Sequence, residues 1–335
     1  MNCKNLFFVL IISFSVCTYA QSNLLNAKLP TQIGIKSAAQ LSKDNDKPLE
    51  YGYVGDRDIL MSKKTWEIID LDERINFPLF YPIDTVSIGS DRRSLYDVLV
   101  KGIKSGKITE VYSDSYFREK KTLKDINSAL TRTDTTGPGI DQMNEDPDAF
   151  RSKVTEVPIY EDVKVGKKIR KKQVGTEKKM VAASRFISEE FINKTDLTSQ
   201  DVSDYKVVGL WYFDKRQSDM RYRILGICPV IPDVYTVGKE GTEKEYIDLF
   251  WVFYPGAREV LHEWKSFNDK NSSMPISFDH LLNSRRFNAL TYKEENVYND
   301  REIVDYVKDN SLMQLLESER VKDKIRNFEQ DMWNY

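Results

Sequence analysis

The C-terminal half of the chain carries short apolar runs that predict β-strands. Residues 207–213 and 222–227 are two such runs joined by the polar segment DKRQSDM, which predicts a β-hairpin. Pro229 and Pro232 should end the second strand, because proline cannot donate a hydrogen bond to a sheet. Residues 246–255 are apolar at nearly every position and predict a third strand, buried on both faces.

Helical spacing of apolar residues first appears after residue 94. Ser94 and Asp97 have the spacing of a capping box, and Gly106 is a candidate C-terminal cap. A short strand is expected to follow at 108–112. The positions that share one face of this helix are Leu95, Val98, Leu99 and Ile103.

Residues 257–289 contain one ambiguous segment and one well-marked helix. The segment AREVLHEWKSF fits a helix or a strand, and we favour a strand because Val260, His262 and Trp264 alternate. Ser277 is expected to cap a helix in FDHLLNSRRF. A strand in NALTYKEEN and a short helix in DREIVDYVKD should follow.

The last helix has an apolar stripe that changes position along its length. Ser311 and Gln314 are expected to open the helix as a capping box. The stripe comprises Leu312, Leu315 and Leu316, and then Val321, Ile325, Phe328 and Met332. The step of five residues from Leu316 to Val321 shifts it around the helix. All these elements together predict an α+β fold, a mixed or antiparallel sheet covered by a few helices, with a smaller N-terminal helix-strand module.

The first 20 residues have the pattern of a secretory signal peptide. Lys4 precedes an apolar run at 6–16, which is well short of the ~20 residues that span a bilayer. Cleavage is expected after Ala20. The alternative of a lipoprotein cleaved before Cys17 is disfavoured, because Val16 stands where lipid attachment requires a small side chain. The mature chain is expected to be exported and soluble.

Changes in composition divide the rest of the chain. We expect a flexible arm at 21–65, a small helix-strand module at 66–126, a charged insertion or linker at 127–203 and a main α+β domain at 204–335. Ordered structure should begin near Trp66, and TRTDTTGPGIDQMNEDPDAF should be a loop. The basic run at 164–179 holds eight Lys or Arg residues and one acid, and it fits an exposed hairpin, a linker, or a contact with an acidic partner or anionic lipid.

Overall composition excludes some classes of protein. Of the 335 residues, 40% are hydrophobic, which is enough for a genuine core, and 50 Lys and Arg nearly balance 52 Asp and Glu. A dedicated nucleic-acid binder would be strongly basic. If Cys3 and Cys17 leave with the signal peptide, Cys228 has no partner for an internal disulfide. We expect Cys228 to be a small buried residue and not a reactive thiol.

The sequence contains no self-sufficient catalytic signature. His262 and His280 are the only histidines, and no zinc-ligand spacing accompanies them. Nucleotide-binding fingerprints and the nucleophile elbow of hydrolases are also absent. We therefore predict no cofactor, no metal and no small-molecule substrate.

Two adjacent carboxylates, Glu294 and Glu295, leave a hydrolase as the alternative. A periplasmic glycan or peptide hydrolase would need one of them as an acid and a second acid such as Asp233 or Asp248. Neighbours on a strand point to opposite faces, which makes the pair poor catalytic partners. A charged junction that is structural, or that binds a partner, is the favoured interpretation.

Five long blocks follow one another along the sequence: RRSLYDVLVKGIKSGKITEVYSD, WYFDKRQSDMRYRILGICPV, LFWVFYPGAREVL, SFDHLLNSRRFNALTYKEENVYNDREI and LLESERVKDKIRNFEQDMW. In this order, they resemble the GldN / PorN family of gliding-motility proteins. The similarity spans about residues 90–333, and it is least characteristic at 127–203.

This resemblance implies a structural role and no enzymatic one. Family members are periplasmic components of the type IX secretion system of Bacteroidetes. They assemble with an outer-membrane lipoprotein of the PorK / GldK type into a ring and contact a motor protein of the PorM / GldM type. The family implies no catalytic residues, and gliding itself does not follow from membership.

Aromatic and charged segments supply candidate interface residues for such an assembly. Trp211, Phe213 and Phe287 in these segments fit a core equally well. Asp214, Lys215 and Arg216 should lie on the surface at the hairpin tip. The candidate interface residues are Asp214, Lys215, Arg216, Arg285, Arg286, Tyr292, Lys293, Glu294, Glu295, Tyr298 and Arg301.

Overall fold

The computed structural model of the chain describes residues 47–83, 92–145, 153–165, 168–181, 189–237, 243–268 and 276–333, with 153–165 and 168–181 at the level of the backbone. The expected signal peptide at 1–20 and most of the expected arm at 21–65 lie outside these residues.

The described residues form thirteen strands and eight helices. The strands are β1 (Ile59–Asp70), β2 (Val111–Tyr112), β3 (Thr131–Thr135), β4 (Lys153–Val165), β5 (Lys168–Val181), β6 (Ile192–Asp196), β7 (Asp204–Asp214), β8 (Asp219–Pro232), β9 (Tyr246–Asp248), β10 (Trp251–Phe253), β11 (Lys265–Ser266), β12 (Ile276–Ser277) and β13 (Leu290–Glu294). The helices are α1 (Phe77–Phe80), α2 (Leu95–Lys104), α3 (Leu123–Leu130), α4 (Gly137–Glu145), α5 (Tyr254–Glu263), α6 (Phe278–Asn283), α7 (Ile303–Tyr306) and α8 (Ser311–Trp333).

The chain divides into two compact units. Unit 1 comprises Met1–Ala129 and Leu197–Tyr335, and unit 2 comprises Leu130–Asp196. Unit 1 contains an antiparallel sheet in the order β13-β1-β7-β8-β10-β2, with β9 also paired to β8. The predicted α+β class with an antiparallel sheet is therefore confirmed. Unit 2 contains two separate strand pairs, β3 with β6 and β4 with β5.

Local sequence signals placed several elements correctly. The predicted hairpin is β7–β8, although both strands extend beyond the predicted bounds. The Ser94 side chain accepts a hydrogen bond from the Asp97 amide, and Ser277 accepts one from the His280 amide, so both predicted helix caps are confirmed. Gly106 follows α2 with a φ of 72°, a conformation that glycine adopts without strain.

Other predictions were wrong for identifiable physical reasons. Residues 246–255 do not form one strand, because β9 ends at Asp248 and β10 begins only at Trp251. The helix α5 then begins at Tyr254, and Pro255 suits its first turn. The segment AREVLHEWKSF, which we read as a strand, lies mostly within α5. Pro229 does not end β8, since its carbonyl accepts a hydrogen bond from the Leu249 amide at 3.0 Å.

Three further segments also differ from expectation. Asn310, and not Ser311, caps α8, because its side chain accepts a hydrogen bond from the Met313 amide at 3.0 Å. The expected loop at 131–150 contains β3 and α4. Ordered structure begins before Trp66, since β1 starts at Ile59. The expected helix-strand module belongs to unit 1, where its strand β2 pairs with β10.

The core of unit 1 has an aromatic cluster that contains the buried Cys228. Trp66, Tyr112, Val208, Cys228 and Trp251 pack together there. Burial raises the pKa of the Cys228 thiol well above its ordinary value, which keeps it protonated. This environment supports the expectation of a small buried residue. Elsewhere in unit 1, α5 packs against β8, α2 and α6, and α8 packs against β13.

Candidate functional site

The two adjacent carboxylates at the end of β13 have different surroundings: Glu294 is the last residue of the strand, and Glu295 follows it. Glu294 is largely buried, with Oε2 2.8 Å from the Lys63 ammonium and Oε1 3.6 Å from the Lys324 ammonium. Glu295 is exposed, and its carboxylate and amide hydrogen bond with the Lys64 amide and carbonyl at 3.3 and 3.0 Å. The pair therefore joins β13 to β1 and α8 and does not face one common space.

The acids named for a hydrolase are engaged in other contacts. Asp248 forms an ion pair of 2.8 Å with Lys206, and Asp233 accepts a hydrogen bond from the Tyr235 amide at 3.0 Å. Glu294 and Glu295 do not line the cavities that lie, among the described residues, beside Tyr51, Phe77 and Arg285. Each of the four acids named for a hydrolase therefore has an ion pair or hydrogen bond within the chain.

Aromatic rings hold the other charged residues of this junction. The Lys293 ammonium lies 4.8 Å from the centre of the Trp66 ring and 5.1 Å from that of Tyr116. Arg301 lies 5.1 Å from the exposed Tyr298 ring and 4.6 Å from the Tyr306 ring. Both cations therefore contact rings of the chain itself, and Arg301 also remains exposed to solvent.

Tyr292, on β13, is half-buried. The Lys206 ammonium lies 5.5 Å from its ring, and burial raises the pKa of its phenol. Of the candidate residues at this junction, Glu295, Tyr298 and Arg301 are the exposed ones.

The hairpin tip was only partly predicted. Asp214 is 1% exposed, so its expected place on the surface is wrong. Its carboxylate accepts a hydrogen bond from the Arg216 amide at 2.9 Å and so closes the turn from inside. Lys215 and Arg216 are exposed, and Arg216 Nε lies 3.1 Å from the Asp58 carboxylate.

Arg285 and Arg286 are neighbours with opposite roles. Arg286 is exposed, whereas Arg285 forms a 3.0 Å ion pair with the buried Glu67. Phe213 and Phe287 are buried and belong to the core, while Trp211 is half-buried. Only part of the predicted interface set is thus available to a partner.

Sequence reasoning missed an arginine-lined site that holds the end of the expected arm. Arg258 donates to the carbonyl of Leu49, and Arg223 donates to that of Gly52 at 3.2 Å. Arg216 donates similarly to the carbonyl of Tyr53. A cavity of about 410 Å³ lies here. Since these contacts join residues more than 150 positions apart, no local pattern could have indicated them.

The Tyr51 ring occupies the middle of this site. It lies 4.5 Å from the Arg223 guanidinium and 4.0 Å from that of Arg258. Its hydroxyl donates to the Asn283 side-chain carbonyl at 2.9 Å, and burial raises the pKa of the phenol. The chain is therefore held in place at Tyr51, before β1 begins.

The N-terminal half of α8 presents apolar residues to solvent. Leu312, Leu315 and Leu316 are 64%, 46% and 54% exposed, whereas Val321 and Ile325 are buried. At about 100° per residue, the three leucines lie on roughly the opposite side of the helix from the buried pair. We call these three residues the outer stripe. The step of five residues in the sequence was its signal.

A second apolar surface lies after β1. Ile75, Phe77, Tyr81 and Phe267 are partly exposed and, with Arg74 and Pro78, line a groove of about 860 Å³. The rings of Phe77 and Tyr81 are 5.6 Å apart in an edge-to-face arrangement. Both surfaces group several exposed apolar side chains together, whereas soluble proteins normally expose such side chains singly.

Charge reversal should distinguish the two carboxylates. Glu294→Lys is expected to lower the free energy of unfolding by about 1–3 kcal/mol, since it places a third cation beside Lys63 and Lys324. Glu295→Lys, which is exposed, should change it by about 0.5 kcal/mol or less. Urea denaturation of both variants measures this difference. Equal effects of the two substitutions on the free energy of unfolding would contradict the assigned roles.

The described residues contain no cluster of His, Cys, Asp or Glu arranged to hold a metal ion. Among the same residues, no helix has the length and apolar character needed to cross a bilayer.

Comparison with known proteins identifies one family. The model of the family described as "Gliding motility associated protein GldN" matches residues 54–334, which covers both units. No curated protein matches the chain.

Proposed function

The chain belongs to the GldN family of gliding motility associated proteins, and from this premise we propose that it is a non-enzymatic periplasmic subunit of the type IX protein secretion system. In this role it forms a ring with an outer-membrane lipoprotein of the PorK / GldK type and contacts an inner-membrane motor protein of the PorM / GldM type. The sequence pattern of a signal peptide at 1–20 supports export to the periplasm.

The outer stripe of α8 is the observation that carries this proposal. Three leucines on one side of a helix, each about half exposed or more, fit the anchor residues with which an amphipathic helix enters a partner's groove. The buried side of the same helix contributes Val321 and Ile325 to the core. The stripe can therefore be changed without removing core contacts. The candidate residues Lys215, Arg286, Glu295, Tyr298 and Arg301 are exposed as well and would act at the rim.

The test combines Leu312→Glu with Leu315→Glu. We expect loss of co-purification with the lipoprotein, because two charges would have to be buried without partners at the interface. The melting temperature should stay close to that of the unchanged chain, since both side chains are exposed. Size measurement of the purified complex and assays of outer-membrane secretion in cells that carry the variant give the readouts.

A matched control is available on the same helix. Asn327→Glu with Gln330→Glu adds the same charge at exposed positions near the other end of α8. This control should keep both the complex and secretion. A wild-type chain that purifies as a monomer with no lipoprotein, or a stripe variant that assembles normally, would contradict the proposal.

A further inference from the structure

Strands β4 and β5 form a long ribbon of two strands in unit 2. They have 13 and 14 residues and, within the part of the chain that the structure describes, pair only with each other. A hairpin of two strands is at best marginally stable in water. Each outer edge of such a ribbon also presents backbone groups that another strand can bind.

The two outer edges of the ribbon differ. β4 contains Pro158 near its middle, and proline blocks strand addition because it lacks an amide hydrogen. β5 contains no proline. Its register is irregular only where Ile159 pairs with Gly175 and Tyr160 pairs with Gln173, which leaves a bulge at Val174. The bulge divides the β5 edge into two regular runs, 175–181 and 168–173. The second of these, 168–173, lies opposite residues 160–165 of β4.

This run is strongly basic. Its sequence is KIRKKQ, in which Lys168, Arg170, Lys171 and Lys172 are cations and no residue is acidic. On the paired side, Lys171 lies opposite Asp162 in the register, and Lys172 lies opposite Glu161. The basic strand thus has acidic residues of β4 on one side, and among the described residues no strand pairs with its other edge.

Like charges directly opposite one another are unfavourable between paired strands, and opposite charges are favourable. A second copy of β5 would meet the open edge with four like charges. An acidic strand would instead place carboxylates opposite these cations, as β4 does on the paired side. Charge complementarity therefore selects an acidic, extended occupant and disfavours self-pairing through this edge.

We propose that residues 168–173, the basic regular run of the β5 edge, bind an extended acidic segment of a partner protein by strand addition. Backbone hydrogen bonds supply the affinity, and opposite charges supply the choice of partner and its register. This contact is separate from the outer stripe of α8 and does not depend on the proposed role in secretion.

The probe is a fluorescent peptide of alternating glutamate and valine, added to the full chain and followed by anisotropy. We expect binding that weakens about tenfold or more when salt is raised, with slower hydrogen exchange of amides in β5. A peptide of the same charge with proline at alternate positions should not bind, because it cannot form a strand ladder.

Neutralisation of the run tests the residues. Arg170→Gln with Lys171→Gln and Lys172→Gln should weaken peptide binding about tenfold or more. The matched control, Lys153→Gln with Lys178→Gln and Lys179→Gln, removes the same charge beyond the bulge and should change binding by about twofold or less. Glutamine avoids the added repulsion that acidic replacements would introduce beside Glu161 and Asp162.

Four outcomes would overturn the inference. They are no binding of the glutamate peptide, equal binding of the proline peptide, equal losses in the two triple variants, and binding of phosphatidylglycerol vesicles without binding of the peptide. The last of these would assign the basic run to an anionic lipid surface. Because the assay contains no secretion component, its failure would leave the α8 prediction intact.

Discussion

Asp279→Ala is expected to lower the free energy of unfolding by about 3–5 kcal/mol, because it leaves a largely buried guanidinium without its carboxylate. Arg258 Nε and Nη2 lie 2.9 and 3.0 Å from the two carboxylate oxygens of Asp279. The two side chains are 11% and 4% exposed. The Tyr254 hydroxyl and the Asn283 amide also donate to Oδ1, at 3.0 and 2.8 Å. Four donors thus depend on this one carboxylate.

Burial contributes to the same network. It raises the pKa of Tyr254 well above its ordinary value, so the phenol keeps the proton that it donates to Asp279. Arg258 also holds the carbonyl of Leu49 and packs against the Tyr51 ring. The alanine variant should therefore release residues 49–53 as well, which limited proteolysis would detect as faster cleavage there.

The midpoint of urea denaturation measures the predicted loss, provided that the m value is unchanged. Glu263→Ala is the control, because it breaks the exposed ion pair with Lys107, for which a change of about 0–1 kcal/mol is expected. A loss of about 1 kcal/mol or less for Asp279→Ala would show that the network is not essential to the fold.

Short-range signals in the sequence were sufficient for several elements. The caps at Ser94 and Ser277 and the hairpin β7–β8 depend on residues close together in sequence, and their positions were predicted. The family was also identified from its sequence blocks alone, and the match over 54–334 confirms it. The class of fold follows from the same local information.

Long-range packing decided the elements that the sequence did not predict. The segment that forms α5 was read as strand. Val260, Leu261 and Trp264 fit a helix, but an alternating pattern in the same segment fits a strand as well. Only the packing of α5 against β8, α2 and α6 selects the helix. The two apolar stripes of α8 were visible. Which of them is buried depends on β13, whose Thr291 amide donates to Ser318 at 3.0 Å.

The candidate site illustrates the same limit. An arginine in the sequence looks the same whether it meets a partner protein or a residue of its own chain. Arg285, Lys293 and Arg301 were all predicted as interface residues, and all three lie over aromatic rings of this chain. The rings that Arg285 and Lys293 contact include Tyr222 and Trp66, which are distant in the sequence. Arg301 contacts rings close to it in the sequence, so its partners could have been found locally.

Replacement of Arg285 should also destabilise the fold strongly. Arg285→Ala is expected to lower the free energy of unfolding by about 3 kcal/mol, since it leaves the 2% exposed Glu67 without its cation. The guanidinium also lies 4.9, 4.1 and 5.4 Å from the rings of Trp211, Tyr222 and Phe287, and these contacts are lost as well. The neighbouring Arg286→Ala, at an exposed position, should change stability by about 0.5 kcal/mol or less.

Two further variants separate the effect of the lost charge on stability from the effect of the backbone conformation at position 285. Glu67→Gln combined with Arg285→Ala should recover part of the loss, with a coupling of about 1–2 kcal/mol in a double-mutant cycle. Arg285 has a φ of 49°, so Arg285→Gly should be more stable than Arg285→Ala by about 1 kcal/mol. Normal stability of Arg285→Ala together with lost binding of the lipoprotein would instead make Arg285 an interface residue. The expected result, lost stability that Glu67→Gln partly restores, requires that its main partner be Glu67.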